Sequence, residues 1–256
     1  MGYLDRFSLN GKIAVVTGSS RGIGNATAKG LCEAGATVVY TATTLEAAQK
    51  AAEAAAEETG ARTLGLKCRV EDIEDVRKLF ADVVSEFGTV DILFNNAGIA
   101  NIEGALVNLD PADIQYHVEV NVNGVIFCCQ EAAKIMLEKG SGSIINMCSM
   151  SAHIYNVPQK ATYYAATKGA VLSFTRSLAC ELAPGGVRVN CISPGYHMTE
   201  MAKQWTECHP VWLERIPMGR FADPYELSGT VIYLASSASS YVTGAEIVVD
   251  GGYTLY

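Results

Sequence analysis

Positive charge is scarce in this sequence. Its 256 residues hold 19 Lys and Arg against 27 Asp and Glu, which gives a formal net charge of -8. Binding to a nucleic-acid backbone depends on clustered Lys and Arg, and no basic stripe occurs along the chain. We therefore expect no nucleic-acid partner.

Long apolar runs are also missing. A membrane-spanning helix needs about 18 or more consecutive apolar residues, and a secretory signal peptide needs an apolar stretch of roughly 7–15 residues near its start. Neither the opening MGYLDRFSLNGK nor the rest of the sequence contains such a run. We expect a cytoplasmic protein without a membrane partner.

Patterns that bind metals are absent as well. The sequence has eight cysteines but no CxxC pair, and no Cys/His spacing is typical of zinc sites. Most cysteines lie in apolar or strand-like runs such as VIFCCQ (125–130) and VRVNCIS (187–193). We expect reduced thiols in the core and no bound metal.

What the sequence does contain is a regular alternation of short apolar runs and longer helical patterns. Apolar residues make up 49% of it and charged residues 18%, as in a globular protein with a large core. The apolar runs predict strands at Lys12–Thr17, Thr37–Thr41, Arg62–Lys67, Asp91–Phe94, Ser143–Met147, Val187–Ile192 and Glu246–Val249. Helical patterns lie near 22–34, 44–59, 73–87, 111–138, 162–183 and 224–236.

Such alternation indicates βαβ units with a parallel sheet. We predict an α/β fold, namely a doubly wound (Rossmann) parallel sheet of about seven strands with helices on both faces. Because no linker interrupts the pattern, one domain is expected over residues 1–256. Residues 195–222 do not fit the alternation and contain both tryptophans, Trp205 and Trp212. A long insertion of this kind is often functional, and we predict a substrate lid near 195–222.

A glycine-rich turn follows the first predicted strand. The segment TGSSRGIG (17–24) leads directly into a helical pattern. Glycines allow backbone N–H groups to approach a pyrophosphate, and the start of a helix favours negative charge. We predict that this turn binds a dinucleotide through Gly18, Ser20, Arg21, Gly22, Ile23 and Gly24.

The end of the second predicted strand bears on the choice between NAD(H) and NADP(H). An acidic residue there would hold the ribose 2'-hydroxyl of NAD, but the segment 39–43 reads VYTAT. The first acid is Glu46, which would form a capping box if Thr43 is the N-cap. Arg21 is suited to a 2'-phosphate, so we predict NADP(H), with NAD(H) as the alternative and Thr43 as a further cofactor contact.

Tyr164 and Lys168 are four residues apart, which places both on one face of a helix. A phenol has a pKa of about 10, and a nearby ammonium would bring it closer to useful acid/base work. The YxxxK pattern alone is common. Here it follows a predicted strand that runs into Ser149 and Ser151, where ligands bind in such sheets.

Taken in order, six motifs of the sequence resemble those of the short-chain dehydrogenase/reductase family, and the resemblance covers essentially the whole chain. The motifs are TGxxxGIG (17–24), NNAG (95–98), NxxG (121–124), the serine ending SIINMCS (143–149), YxxxK (164–168) and PGxxxT (194–199). The resemblance implies a Rossmann fold and reversible hydride transfer between NAD(P) and an alcohol/carbonyl pair. It also implies a homotetramer in which the helices at 111–138 and 162–183 pair between subunits.

The same resemblance implies roles for single residues. Tyr164 would be the acid/base, with Lys168 lowering its pKa and binding the nicotinamide ribose. Ser149 would orient the substrate oxygen, and Asn121 would sit at a break in its helix and help to hold a water for proton relay. Contacts to the cofactor are implied for Asn96, Thr199 and the backbone at Val70 and His197.

Two positions depart from the family pattern. Arg69 stands where Asp or Asn commonly contacts adenine, and an arginine there could stack on the base or approach a 2'-phosphate. The spacing to Tyr164 that many relatives show would select Ser151 as the catalytic serine, whereas alignment of the strand selects Ser149. We choose Ser149 because the strand fixes the register, and Ser151 becomes a predicted substrate contact.

The loop SMSAHIYNVPQ (149–159) resembles that of the polyol dehydrogenase/ketose reductase branch, with 3-oxoacyl-carrier-protein reductases next. His153 and Asn156, with Gln159, would bind substrate hydroxyl groups. The predicted substrate is therefore a small ketose or polyol. Alternatives are a 3-oxoacyl thioester, a hydroxysteroid favoured by Trp205 and Trp212, or a non-catalytic dinucleotide-binding regulator.

Overall fold

The strands form where the sequence places its short apolar runs. In the computed structural model, residues 2–100 and 104–255 are described, and within them seven strands form one parallel sheet of order β3-β2-β1-β4-β5-β6-β7. The strands are β1 (Ile13–Val16), β2 (Thr37–Ala42), β3 (Thr63–Lys67), β4 (Ile92–Asn95), β5 (Gly142–Met147), β6 (Val187–Pro194) and β7 (Glu246–Val249). The predicted doubly wound sheet is confirmed.

Helices cover both faces of this sheet. They are α1 (Gly22–Glu33), α2 (Leu45–Thr59), α3 (Ile73–Phe87), α4 (Pro111–Val118), α5 (Gly124–Lys139), α6 (Thr162–Leu182), α7 (Glu200–Lys203), α8 (His209–Glu214) and α9 (Ser228–Ala235). Val15 and Leu93 pack with α3, α5 and α6, whereas their neighbours Val16 and Phe94 pack with α1, α2 and α9. Successive strand residues thus face opposite cores, which explains their continuous apolar character.

The start of α2 differs from the prediction by one residue. Its N-cap is Thr44, whose hydroxyl accepts a hydrogen bond from the Ala47 N–H at 3.3 Å. The prediction of Thr43 as N-cap, with Glu46 completing a capping box, is therefore wrong, because Glu46 falls at the second helical position. The cause is that β2 runs on to Ala42, which pairs with Lys67 of β3.

The predicted helix at 111–138 is broken near its middle. Between α4 and α5 the backbone forms a π-helical segment, Glu119–Asn123, a feature often found at functional sites. Asn121 lies in this segment and is fully buried. The expected break at Asn121 is confirmed.

Residues 195–222 leave the carboxyl end of β6 and return to their starting point. His197 and Ala222 form a parallel bridge, so the two ends of the segment lie side by side. Between them are the short helices α7 and α8. This segment therefore lies at the end of the sheet formed by the carboxyl ends of the strands.

The order of the strands sets the position of the site. β1 lies between β2 and β4, so the connections that follow β1 and β4 depart in opposite directions. In open α/β sheets, ligands bind at the carboxyl ends of the strands at such a switch point. Among the helices of residues 2–100 and 104–255, none combines the length and apolar character that a bilayer span requires.

Candidate active site

The glycine turn after β1 closes tightly against the end of β4. Gly18 and Gly22 have positive φ angles of 62° and 60°, which glycine adopts without strain. A Cβ on Gly18 would lie 2.9 Å from the Ala97 Cα, and one on Gly24 would lie 2.3 Å from the Asn96 Nδ2. The turn therefore has room for glycine only at these positions.

Asn96 holds this turn in place. Its side-chain Nδ2 donates to the carbonyls of Thr17 and Gly18 at 3.0 and 2.9 Å, and its backbone N–H donates to the Thr17 hydroxyl at 3.0 Å. Both amide protons of the side chain are thus used to tie the β1 turn to the end of β4. Sequence analysis predicted Asn96 as a cofactor contact, and the structure adds that it braces the loop.

The turn has the features of a dinucleotide cradle. The first N–H groups of a helix have no partner within the helix, and α1 begins at Gly22. A Cβ on Gly22 would point towards Thr199, whose Cγ2 would lie 3.8 Å away. Thr199 itself accepts a hydrogen bond from the Ala202 N–H at 3.2 Å. Residues of the glycine turn and of the segment after β6 therefore face each other, and they fit a pyrophosphate and its nicotinamide arm.

Arg21 and Thr43 are exposed on adjacent turns at the end of β1 and β2. The turns are tied together because the Ser19 N–H donates to the Thr41 carbonyl and the Thr41 N–H donates to the Ser19 hydroxyl, both at 2.9 Å. No acid lies on the last residues of β2, which end at Ala42. This end of the cradle is suited to a phosphate.

Arg69, the residue that departs from the family pattern, is paired with acidic neighbours. The guanidinium Nε of Arg69 donates to the Glu71 carboxylate at 3.0 Å. The backbone N–H of Arg69 donates to the Asp75 carboxylate at 3.1 Å. The side chain is thus paired with a neighbour in its own turn. The neighbouring Val70 is buried against Gly124, where a Cβ would lie 2.7 Å from the Val70 Cγ2.

Lys168 is buried one helical turn after Tyr164. Only 3% of its surface is exposed, and its ammonium donates to the Met147 carbonyl at 2.9 Å. The Nζ lies 5.7 Å from the centroid of the Tyr164 ring. Burial lowers the pKa of Lys168 to about 8, since a buried ammonium loses its hydration.

Burial also governs Tyr164, in the direction opposite to the prediction. It raises the pKa of the phenol to about 12, and the hydrogen bond with Ser149 opposes that rise. We expected Lys168 to lower this pKa. In the structure, loss of hydration outweighs the favourable contacts of the phenolate. The phenol is therefore fully protonated near neutral pH.

The structure brings Ser149 to Tyr164. Ser149 ends the turn after β5, forms a hydrogen bond with the phenol and accepts the Ser151 N–H at 3.1 Å. The two serine hydroxyls lie 3.1 Å apart. This arrangement supports the choice of Ser149 and places Ser151 behind it.

Asn121 contacts α6, the helix that carries Tyr164 and Lys168. Its side chain forms two hydrogen bonds with the backbone of Ile99, at 2.8 and 2.9 Å, and contacts the Thr167 hydroxyl at 3.3 Å. Thr167 in turn donates to the Tyr164 carbonyl at 2.7 Å. The π segment is thereby linked to the first turn of α6.

His153 does not face the substrate loop's other polar groups. Its imidazole forms a hydrogen bond with Glu246 at the start of β7, and the Ser193 hydroxyl donates to the same carboxylate oxygen. The role of His153 in substrate binding stays a prediction, and in this structure its ring pairs with the Glu246 carboxylate.

Gln159 joins the substrate loop to the segment 195–222. Its Nε2 donates to the Tyr196 hydroxyl and its Oε1 accepts from the Trp212 indole N–H, both at 2.9 Å. The rings of Tyr196 and Trp212 are stacked with centroids 4.0 Å apart. Asn156 of the same loop is 4% exposed and also forms a hydrogen bond with Tyr196.

Tyr196 is a residue of this site that was not among the residues predicted from the sequence, whereas its neighbour His197 was. Tyr196 directly follows Pro194-Gly195 at the carboxyl end of β6, a position where parallel sheets place ligand contacts. Its neighbour His197 is 4% exposed, and its Nδ1 contacts the Gly195 carbonyl at 3.1 Å. Burial lowers the pKa of His197, so its ring is neutral at neutral pH.

Known proteins resemble this chain over nearly its whole length. A family model described as enoyl-(acyl carrier protein) reductase matches residues 18–254. A probable NADP-dependent mannitol dehydrogenase of Yarrowia lipolytica is 42% identical over 253 residues, covering 98% of this chain and 90% of the relative. The sorbose reductase of Candida albicans is 42% identical over 254 residues, with the same two shares.

Among solved structures, a gluconate 5-dehydrogenase from Burkholderia cenocepacia in complex with NADP and tartrate superposes with a TM-score of 0.95 and 36% identity over 100% of both chains. The chain belongs to the short-chain dehydrogenase/reductase family. Bacterial 3-oxoacyl-(acyl-carrier-protein) reductases are 36–37% identical to it. The expected order, with the polyol and ketose branch ahead of these reductases, is confirmed.

Proposed function

We propose that this protein is an oxidoreductase that transfers a hydride between NADP(H) and a ketose/polyol pair. The observation that carries the proposal is the meeting of Ser149, Tyr164 and Lys168 beside the glycine turn. The names of the relatives, a mannitol dehydrogenase and a sorbose reductase, support the substrate class.

The proton in this reaction is assigned to Tyr164. A bound nicotinamide supplies or accepts the hydride. During reduction, the phenol gives its proton to the carbonyl oxygen while the Ser149 hydroxyl donates a hydrogen bond to that oxygen. A pKa raised to about 12 keeps the phenol protonated near neutral pH, which is the form that reduction requires, but makes it a weaker acid than a free phenol. During oxidation, Tyr164 takes the proton of the alcohol, and its hydrogen bond with Ser149 stabilises the phenolate that precedes this step.

Lys168 and Asn121 support Tyr164. The ammonium of Lys168 has three N–H groups, one of which binds the Met147 carbonyl, so two are available to the hydroxyls of the nicotinamide ribose. Asn121 links the π segment to α6 through Thr167. We propose that it also holds the water that relays protons from Lys168.

The cofactor assignment is NADP(H) rather than NAD(H). The exposed Arg21 beside the end of β2, where no acid is present, supports binding of a 2'-phosphate. We expect Arg21→Ala to lower kcat/KM for NADPH about tenfold, the effect of one charge-assisted contact, and to leave kcat/KM for NADH unchanged. A wild-type preference for NADH would contradict this assignment. The other proposed contacts are Gly18, Ser20, Gly22, Ile23, Gly24, Thr43, Val70, Asn96, Tyr164, Lys168, His197 and Thr199.

We further propose one catalytic domain over residues 1–256, with the segment 195–222 as a substrate lid. The stacking of Tyr196 on Trp212 and the two hydrogen bonds of Gln159 support a lid that closes on the loop 149–159. Ser149, Ser151, His153 and Asn156 are the proposed substrate contacts.

A screen of NADPH oxidation tests the substrate class. Ketoses, 3-oxoacyl thioesters and ketosteroids are offered at equal concentration, and we expect turnover to be highest with ketoses. Highest turnover with a thioester or a steroid would assign the protein to the 3-oxoacyl reductases or the hydroxysteroid dehydrogenases. Binding of NADPH without turnover of any carbonyl would indicate a dinucleotide-binding regulator.

Assembly and location complete the proposal. We propose a homotetramer in which the helices at 111–138 and 162–183 pair between subunits, and a sedimentation coefficient of a monomer would contradict it. All eight cysteine thiols are free, and seven of them are buried. This state suits the reducing cytoplasm.

A further inference from the structure

Two buried polar atoms near the substrate loop have no hydrogen-bond partner among the described residues. They are the Oδ1 of Asn156 and the hydroxyl of Tyr253. Their residues are 4% and 5% exposed. Buried polar groups are nearly always paired, because an unpaired one forfeits its hydrogen bonds to water. Two exceptions in one region indicate that something else binds there.

Both atoms belong to the surroundings of Tyr196. The Tyr253 ring packs edge-on against the Tyr196 ring, with centroids 5.4 Å apart and planes at 78°. The Asn156 amide lowers the pKa of Tyr196 and the Tyr253 phenol raises it, so both polar groups lie close to the Tyr196 hydroxyl. The two unpaired atoms therefore belong to residues that both neighbour Tyr196.

This cluster begins next to the reacting groups. Met150, which directly follows Ser149, packs with Ile216 and Tyr253. Consecutive Cα atoms are about 3.8 Å apart, so the cluster starts within one residue of the serine that contacts Tyr164. It therefore adjoins the place where a substrate carbonyl would be held.

The position of Tyr253 is fixed by its own turn. The two carboxylate oxygens of Asp250 accept the N–H groups of Gly252 and Thr254, at 2.9 and 2.8 Å. Gly251 and Gly252 have positive φ angles, and Cβ atoms there would lie 2.9 Å from side-chain atoms of Ile216 and Pro217. The turn is thus pressed against the end of the segment 195–222, which holds the phenol in place.

The two unpaired atoms are complementary to a hydroxyl group. An amide oxygen accepts a hydrogen bond, and a phenol can donate one. A hydroxyl between them would donate to Asn156 and accept from Tyr253. The side chains of the cluster, namely Met150, Asn156, Tyr196, Ile216 and Tyr253, carry no charge at neutral pH, which favours a neutral ligand over a carboxylate or phosphate.

We propose that Asn156 and Tyr253 bind a hydroxyl group of the substrate that is remote from the reacting carbon. This subsite makes the turn near the end of the chain a determinant of specificity. The inference rests on the proposed function, since that function supplies a substrate with several hydroxyl groups.

Tyr253→Phe tests the subsite because it removes a single oxygen atom. We expect KM for a ketohexose to rise about 10- to 100-fold, as when a site built for a hydroxyl loses its partner. kcat at saturating ketohexose and KM for NADPH should stay within about twofold of the wild type. The melting temperature without ligands should stay the same or rise, because an unpaired buried hydroxyl has been removed.

Tyr241→Phe is the matched control, since that tyrosine is fully exposed. An unchanged KM for the ketohexose in Tyr253→Phe would overturn the proposal. A lower melting temperature with equal loss of kcat and of NADPH affinity would also overturn it, because the hydroxyl would then serve the fold. The wild type is assayed with ketoses and polyols before any variant is made. If it turns over none of them, the proposed function is wrong, and this result is distinct from a failure of the subsite.

Discussion

The turns after β1 and β4 approach each other so closely that only glycine fits, and one side chain, Asn96, binds backbone carbonyls to join them. The loops after β5 and β6 are joined instead by contacts between side chains. On the cofactor side, Gly18 and Gly24 approach Ala97 and Asn96 too closely for any Cβ. On the substrate side, Gln159 binds both Tyr196 and Trp212. Trp212 is 53 residues from Gln159 in the sequence.

This difference matches the two tasks that we propose. A pyrophosphate is the same in every reaction, so a fixed arrangement of backbone N–H groups can bind it. The substrate differs between relatives, and side-chain pairs can change without altering the sheet. The comparison predicts that substitutions on the substrate side leave NADPH binding unchanged, and that substitutions on the cofactor side leave KM for the ketose unchanged.

Among the substitutions that test this comparison, the largest effect should come from Ser149, which joins the two sides. Ser149 forms a hydrogen bond with Tyr164, and Ser151 lies behind it. We expect Ser149→Ala to lower kcat about 10²- to 10³-fold through loss of a contact to the reacting oxygen. Steady-state assays with a ketose and NADPH measure this. Ser151→Ala should lose about tenfold or less, and a greater loss in Ser151→Ala than in Ser149→Ala would reverse the assignment.

A Cβ on the cofactor side should act mainly on NADPH. In Gly24→Ala the new methyl would lie 2.3 Å from the Asn96 Nδ2 and 2.4 Å from the Gly18 carbonyl oxygen, so the turn must shift. We expect the dissociation constant of NADPH, measured by fluorescence, to rise about 10- to 100-fold.

Gly229→Ala on α9 is its control, since no atom lies within 4 Å of its added Cβ. That variant should bind NADPH normally and gain slightly in stability, because alanine favours a helix over glycine by about 1 kcal/mol. A dissociation constant of NADPH in Gly24→Ala equal to that of the wild type would contradict the claim that the cofactor side depends on the absence of a Cβ.

Gln159 gives the opposite test. Gln159→Leu leaves the Trp212 N–H without its acceptor and the Tyr196 hydroxyl without one of its donors, at a cost of about 1–3 kcal/mol. We expect KM for the ketose to rise about tenfold and the melting temperature to fall, with KM for NADPH unchanged. Gln49→Leu on the exposed face of α2 should change none of these values. A rise in KM for NADPH in Gln159→Leu would show that the two sides are not independent.

The smallest effect concerns the buried ammonium. The pKa of Lys168 falls from 10.5 to about 8 on folding, so between these values the unfolded chain holds more protons than the folded one. Lys168 by itself should therefore add about 1 kcal/mol to the free energy of unfolding between pH 8 and 9. The raised pKa values of buried cysteines such as Cys68 and Cys129 act in the opposite direction, but they do so equally in the wild type and in Lys168→Met. Chemical denaturation of the wild type and Lys168→Met at both pH values measures the difference.

Lys168→Met should lack this contribution, and Lys50→Met, which changes an exposed lysine, should keep it. The window closes near pH 10, because the raised pKa of Tyr164 makes the folded state bind more protons than the unfolded one above that value. A difference in free energy of unfolding between the wild type and Lys168→Met that does not grow from pH 8 to 9 would contradict the burial of a charged Lys168.

The position and the glycine requirement of the turn after β1 could be predicted from the sequence, because their signals are local. The glycines, Asn96 and the TGSSRGIG segment lie within short stretches, and the strand that precedes them is continuously apolar. The error at Thr43 arose because the strand end was read one residue too early, and the pairing of Ala42 with Lys67 that extends it is not local.

The substrate side could be predicted only in part. Asn156 and Gln159 were found from their loop, but the partner of His153 is Glu246, 93 residues further along the chain. Tyr253 gave no signal at all, because its closeness to Tyr196 depends on how the last turn packs. The raised pKa of Tyr164 was missed because burial is a property of the fold, whereas the YxxxK spacing shows only the neighbouring charge.

Tyr164→Phe tests the central claim most directly, since it removes the proton and keeps the ring. The measurement is NADPH oxidation at saturating ketose together with NADPH binding by fluorescence. We predict that turnover falls by about 10³-fold or more, as expected for loss of the proton donor, while the dissociation constant of NADPH stays within about threefold of the wild type. Turnover within tenfold of the wild type would contradict the account.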